Sequence, residues 1–129
     1  MAGTVVVDAV KSSTTGAPTF QNTSGTEIGQ LCRAWVNFNG TGTVAIRASF
    51  NVSSITDLGT GQYRVNFANP MPDANYAAFA SAGADGAGSA IIYNTFYNEA
   101  HTSAGFRFIT TQLNGADTDY TNVMVSVFR

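Results

Sequence analysis

The chain has 129 residues, 44% of them hydrophobic, and six Lys/Arg against eight Asp/Glu give a formal charge of −2. That length suits one domain, and that apolar content supports a real core, which excludes a disordered chain. Lys11 is the only lysine, and Arg33, Arg47, Arg64, Arg107 and Arg129 are scattered, so nothing in the charge pattern marks a nucleic-acid partner.

Charged residues make up 11% of the chain, against about 25% in ordinary soluble domains. Asn, Thr, Ser, Gly and Ala fill the polar positions instead. A surface so poor in Lys and Glu is expected to be covered by other subunits, or else to be a robust extracellular one. A single cysteine, Cys32, rules out an intrachain disulfide. It lies in a strand-like run and is expected to be a small buried hydrophobe. No basic, apolar, small-residue leader opens the chain, and no apolar run approaches the ~20 residues of a membrane span. Neither secretion nor membrane insertion is expected.

In chain order, residues 4–10 are β-branched enough for a first strand. Residues 11–30 are Ser, Thr and Gly around Pro18, an extended arm of the kind that partners hold. Residues 31–38 alternate: Cys32, Ala34, Val36 and Phe38 share one face, and Leu31, Arg33, Trp35 and Asn37 the other. Asn39-Gly40-Thr41-Gly42 is a hairpin turn, since Asn-Gly tolerates positive φ. It leads into residues 44–50, with Val44, Ile46, Ala48 and Phe50 expected on one face. Leu58-Gly59-Thr60-Gly61 is a second turn, before a strand in which Tyr63, Val65 and Phe67 alternate with Gln62, Arg64 and Asn66. Asn69-Pro70-Met71-Pro72-Asp73 cannot continue a ladder, because each proline lacks an amide donor.

Residues 75–82, 89–97 and 106–113 add further strand content, with a Gly/Ala loop over 82–89 and a turn at Asn114-Gly115-Ala116-Asp117. Val123, Val125 and Val127 close the chain on one face of a last strand, opposite Met124, Ser126 and Phe128. About eight short strands with turns every ten residues or so predict an all-β fold, an antiparallel β-sandwich or jelly-roll-like domain. The division expected is a strand and arm over residues 1–30 and a sandwich body over 31–129.

The inventory argues against catalysis. His101 is the only histidine, no Gly-x-Ser-x-Gly elbow occurs, and Gly40-x-Gly42 and Gly59-x-Gly61 are hairpin turns rather than phosphate loops. No cofactor is implied, and His/Cys spacing for zinc is missing. The eight acids, from Asp8 to Asp119, sit mostly beside turn residues, where aspartate is a turn former before it is a catalyst. Asp117 and Asp119 alone fall short of the six to eight oxygens calcium takes. One stretch speaks for recognition. From Tyr93 to His101, rings are mixed with amides, a composition suited to saccharides, with Tyr93, Tyr97, Asn98 and His101 as candidate contacts. The same rings are equally ordinary strand residues of a core or interface.

Between residues 25 and 78 the order of motifs becomes specific. Ala34-Trp35-Val36-Asn37-Phe38-Asn39-Gly40-Thr41-Gly42-Thr43-Val44-Ala45-Ile46-Arg47 is followed by Ser49-Phe50-Asn51-Val52-Ser53-Ser54-Ile55-Thr56-Asp57. Then come Tyr63-Arg64-Val65-Asn66-Phe67 and Met71-Pro72-Asp73-Ala74-Asn75-Tyr76. This string resembles a module of tailed-bacteriophage virion proteins, described as a tail-fibre or receptor-binding tip. The resemblance implies a homotrimeric β-sandwich on the virion, made in the host bacterial cytoplasm. It implies partners in its own copies, in other virion proteins reached through the N-terminal arm, and in a host surface glycan. It transfers no site residue position by position. Because so little chain precedes the module, a capsid decoration, cement or head-fibre protein is the alternative expectation.

Overall fold

The structure is a computed structural model that describes residues 3, 6–13, 18–83, 90–93 and 100–129, with side chains at all of these except 90–93. Ten strands and no helix occur among the described residues. Two units are distinct, Met1–Leu31 and Cys32–Arg129. In the first, β1 (Phe20–Gln21) and β2 (Glu27–Gly29) pair antiparallel. Asn22 makes the turn: its Oδ1 accepts from the amides of Ser24 (3.0 Å) and Thr26 (2.9 Å), and Gly25 supplies the positive φ. Part of the region expected to be an extended arm, residues 20–29, therefore holds a short hairpin. The strand expected over residues 4–10 does not form in its described part, 6–10. Apolar β-branched residues have the propensity for a strand but here have no ladder to join.

The second unit is two four-stranded antiparallel sheets. The first has the order β4 (Ala45–Phe50), β3 (Cys32–Asn39), β10 (Asn122–Phe128), β7 (Ala77–Gly83). The second runs β5 (Val52–Gly59), β6 (Gln62–Phe67), β9 (Gly105–Gln112), β8 (Ala90–Tyr93). β10 returns to lie beside β7 after the β7–β8–β9 run, which is a Greek-key path shared between the sheets.

Alternation explains the core. Ala34, Val36 and Phe38 with Val123, Val125 and Val127 line the inner face of the first sheet. Tyr63, Val65, Phe67, Phe106 and Phe108 line that of the second, and all are buried. Phe38, Tyr63 and Phe108 meet with ring centroids 5.1–6.4 Å apart, joining the two sheets through aromatic contacts.

Two expected faces differ. A β-bulge between Asn37 and Phe38 breaks the period of two in β4, so Ala48 and Phe50 stand opposite outward-facing Asn37 and Trp35 while Ile46 stands opposite core-facing Phe38. A second irregularity at Val127/Phe128 leaves Cys32 at the margin of the core. It is half-buried there, with Sγ 3.2 Å from the Ala34 carbonyl.

The turns at one end of the sandwich are tied by a single hydroxyl. Tyr63 Oη lies 2.7 Å from Asp119 Oδ1 and 3.0 Å from the Gly40 carbonyl, and the Gly61 amide donates to the same Oδ1 at 2.6 Å. A Cβ on Gly40 would stand 2.5 Å from that hydroxyl, so glycine is needed there for space, while the positive φ of the turn falls at Gly42. Burial, and then the bond to Asp119, push the Tyr63 phenol far above its ordinary value, so it stays a neutral donor. Tyr63→Phe should keep the packing and cost about 1–3 kcal/mol, the loss for buried groups left without a partner. Urea denaturation of the two proteins measures it.

Candidate functional site

The two outer faces of the sandwich differ in chemistry. Across the first sheet, register brings Phe50, Trp35, Ser126 and Phe79 into one row, with Ala48, Asn37, Met124 and Ser81 in the next and Phe128 beside Ala77. Phe79 is 60% exposed, Phe50 55%, Met124 46%, Trp35 40% and Phe128 36%. Phe79 and Phe128 touch edge to face, with centroids 6.2 Å apart. At about 150–250 Å² per aromatic side chain, the four aromatics alone leave about 400 Å² in water. That matches the largest apolar patch of an ordinary monomer, which is often a functional one. The charges on this face are Arg47, bonded to Asn37 Oδ1 at 3.2 Å, and Arg33 near the strand end, bonded to the Arg129 carbonyl.

The outer face of the second sheet is polar. Asn66 donates to Ser54 Oγ (3.0 Å) and Thr56 Oγ1 (2.9 Å). Arg107 donates to Gln62 Oε1, and Gln62 Nε2 donates to Asp117 Oδ2 at 2.8 Å. Arg64 and Arg107 are direct cross-strand partners, and both line a cleft of about 410 Å³ together with Asn66, Ala100, Thr102 and Ala104.

Of the contacts expected from sequence, His101 is half-buried and stacks on Tyr76, with centroids 4.7 Å apart and planes 8° from parallel, and it touches Phe106 at 5.2 Å. Tyr93 ends β8, its side chain lies outside what the structure describes, and Tyr97 and Asn98 fall outside the described residues altogether. Asp117 and Asp119 serve the turns through Gln62, Gly61 and Tyr63. Among the described residues, no group of three or more His, Cys, Asp or Glu side chains is placed to hold a metal.

Arg64 and Arg107 are 43 positions apart in the chain, and only strand pairing brings them together. No local signal in the sequence announces the cleft. No family model, curated protein or solved structure matches the chain.

Burial holds His101 below the ordinary imidazole value, against a hydrogen bond that the imidazole donates to the Ala74 backbone, which works the other way. The unfolded chain therefore binds this proton more readily than the folded one. Stability should be intact above the unfolded value near 6.5 and fall as the pH drops through it towards the lower folded value. His101→Phe, which keeps a ring on Tyr76, should flatten the melting temperature between pH 7 and 5. Asp73, held low chiefly by its bond to Arg129, acts separately. Its contribution is present above 3.8 and lost in stronger acid.

Proposed function

We propose that this is a structural protein of a bacteriophage virion, a homotrimeric fibre or tail module that takes part in host attachment. The observation that carries the reading is the exposed aromatic row Phe50–Trp35–Ser126–Phe79 on the outer face of the first sheet. A chain with 11% charged residues gains most from burying such a face against its own copies. Three copies turned about a common axis place the same face at the centre of each protomer's contacts. The patch supplies about half of the ~800 Å² per partner of a standard interface, and the rims of β4 and β7 extend it. The ordered motif string between residues 25 and 78 supports the phage assignment. The glycan expected as the partner is one on the bacterial surface.

Residues 1–30 are the proposed attachment segment. Val6, Val7, Val10, Phe20 and Ile28 are all exposed there, apolar side chains that a second protein surface would cover. That observation equally favours a second reading, a decoration or head-fibre protein seated on a capsid, and locating the protein on head or tail separates the two.

Light scattering at micromolar concentration should give a trimer, and a stable monomer there ends the trimer reading. Phe79→Glu, outside the core, should yield a folded monomer, with its melting temperature read beside its mass. Deleting residues 1–30 should leave a folded sandwich that no longer joins the particle, and wild-type incorporation would move attachment elsewhere.

A further inference from the structure

We propose that Asn114 is a site of covalent modification, deamidated without an enzyme when the Gly115 amide nitrogen attacks its side chain. The chain has two Asn-Gly dipeptides, Asn39-Gly40 and Asn114-Gly115. Glycine has no Cβ to screen its amide nitrogen, so both are suited to the reaction by sequence. The fold treats them differently. Asn114 and Gly115 are exposed in the tight turn that follows β9, where Gly115 takes a φ of 84°. Asn114 Oδ1 accepts from the Ala116 amide at 3.0 Å, and Asn114 Nδ2 has no partner among the described residues. The Gly115 amide donates to the Gln112 carbonyl at 2.9 Å, a bond inside the exposed turn itself. Bonds of that kind open locally, at little cost to the rest of the fold.

The Gly115 nitrogen gives its proton to hydroxide and forms a bond to Asn114 Cγ, and the carbonyl electrons move onto Oδ1. The Ala116 amide already points at that oxygen and donates to the developing oxyanion. The Cγ–Nδ2 bond then breaks, and Nδ2, held by no described protein group, takes a proton from water and leaves as ammonia. One water opens the resulting five-membered imide. Opening at Cγ gives aspartate, and opening at the main-chain carbonyl gives isoaspartate. Either product adds a carboxylate three residues before Asp117 and changes the formal charge from −2 to −3.

Asn39-Gly40 lacks this freedom. Asn39 Nδ2 donates to the Thr41 carbonyl at 2.7 Å, and Oδ1 accepts from the Thr41 hydroxyl at 2.8 Å. Gly40 is buried, its amide donating to the Tyr120 carbonyl at 2.9 Å and its carbonyl accepting from the Tyr63 hydroxyl. Attack there has to break bonds to two other parts of the sandwich, so Asn39 reacts only when the sandwich opens.

The test is incubation of the full-length protein at mildly alkaline pH, folded and in guanidinium chloride, with peptide mass mapping over time. In the folded protein Asn114 should convert about tenfold or more faster than Asn39. Isoaspartate should appear beside aspartate at position 114, and conversion should quicken as the pH is raised. In guanidinium chloride, where only local sequence acts, the two asparagines should convert at similar rates. A tenfold difference that persists there places the contrast in the sequence and overturns the role of the fold. Equal rates in the folded protein, or an Asn114 that survives while the denatured chain converts, overturn the site. Aspartate without isoaspartate overturns the attack by Gly115, because direct hydrolysis of the side chain yields aspartate alone. These outcomes are read on the isolated protein, so they stand apart from whether it is found on a virion.

Discussion

The Tyr63 hydroxyl is the constraint on which the rest of the sandwich depends. Its ring fills the centre of the core against Phe38 and Phe108, and its oxygen reaches the end of the sandwich where three connections meet. Gly40 belongs to the β3–β4 turn, Gly61 to the β5–β6 turn, and Asp119 to the link between β9 and β10. Each connection serves a different part of the two sheets, and a buried polar group must find a partner wherever it lies. Satisfying one phenol and one carboxylate therefore sets the relative height of both sheets. The neighbouring backbone follows: the Gly40 amide donates to the Tyr120 carbonyl at 2.9 Å, and the Tyr120 hydroxyl reaches the Thr111 carbonyl at 3.2 Å. Gly61 leaves so little room that a Cβ would stand 2.5 Å from the Thr110 carbonyl.

Two other polar side chains hold the connections elsewhere in the sandwich by the same logic. Asn51, at φ 54°, turns the chain from β4 in one sheet to β5 in the other. Its side chain donates to the Arg33 and Asn69 carbonyls and accepts from the Asn69 amide at 2.7 Å. Asparagine tolerates that left-handed geometry better than other non-glycine residues. Tyr76 sends its hydroxyl to the carbonyls of Thr102 and Gly105, and burial pushes its pKa up to about 12. Thr102 and Gly105 exchange backbone hydrogen bonds, so the turn that walls the cleft is anchored to an aromatic of the core. The floor beneath the paired arginines is thereby fixed.

The strands of the core were legible because their faces are homogeneous. Val123, Val125 and Val127, or Tyr63, Val65 and Phe67, alternate with residues that cannot share their environment. A ladder through them has one sensible register. The faces of β4 differ from the expected alternation because nothing in Val44–Phe50 marks the extra residue that β4 carries at Arg47, and a one-residue slip exchanges the faces. The N-terminal run failed for the opposite reason: propensity was present without a pairing partner, and hydrogen-bond satisfaction outweighs propensity. His101 stood out as the only imidazole, yet its stacking on Tyr76 depends on a contact 25 positions away. Arg64 and Arg107 look like two scattered charges until β6 pairs with β9.

The scarcity of charge, read from composition as one property of the surface, is two properties in the fold. On the first sheet the central rows are aromatic, Met, Ala and Ser with Asn37 among them, and the arginines there are bonded to neighbouring protein groups. On the second sheet the polar side chains form a connected set from Ser54 to Asp117 around the two arginines. These are opposite sides of a sandwich whose sheets pack about 10 Å apart. Burying the first face among copies about an axis turns the second, polar face outward. An assembly through the second sheet would do the reverse. It would desolvate both arginines and the amides around them, and leave four aromatic rings in water. The cost of removing charge from water and the gain from covering apolar area both point the same way.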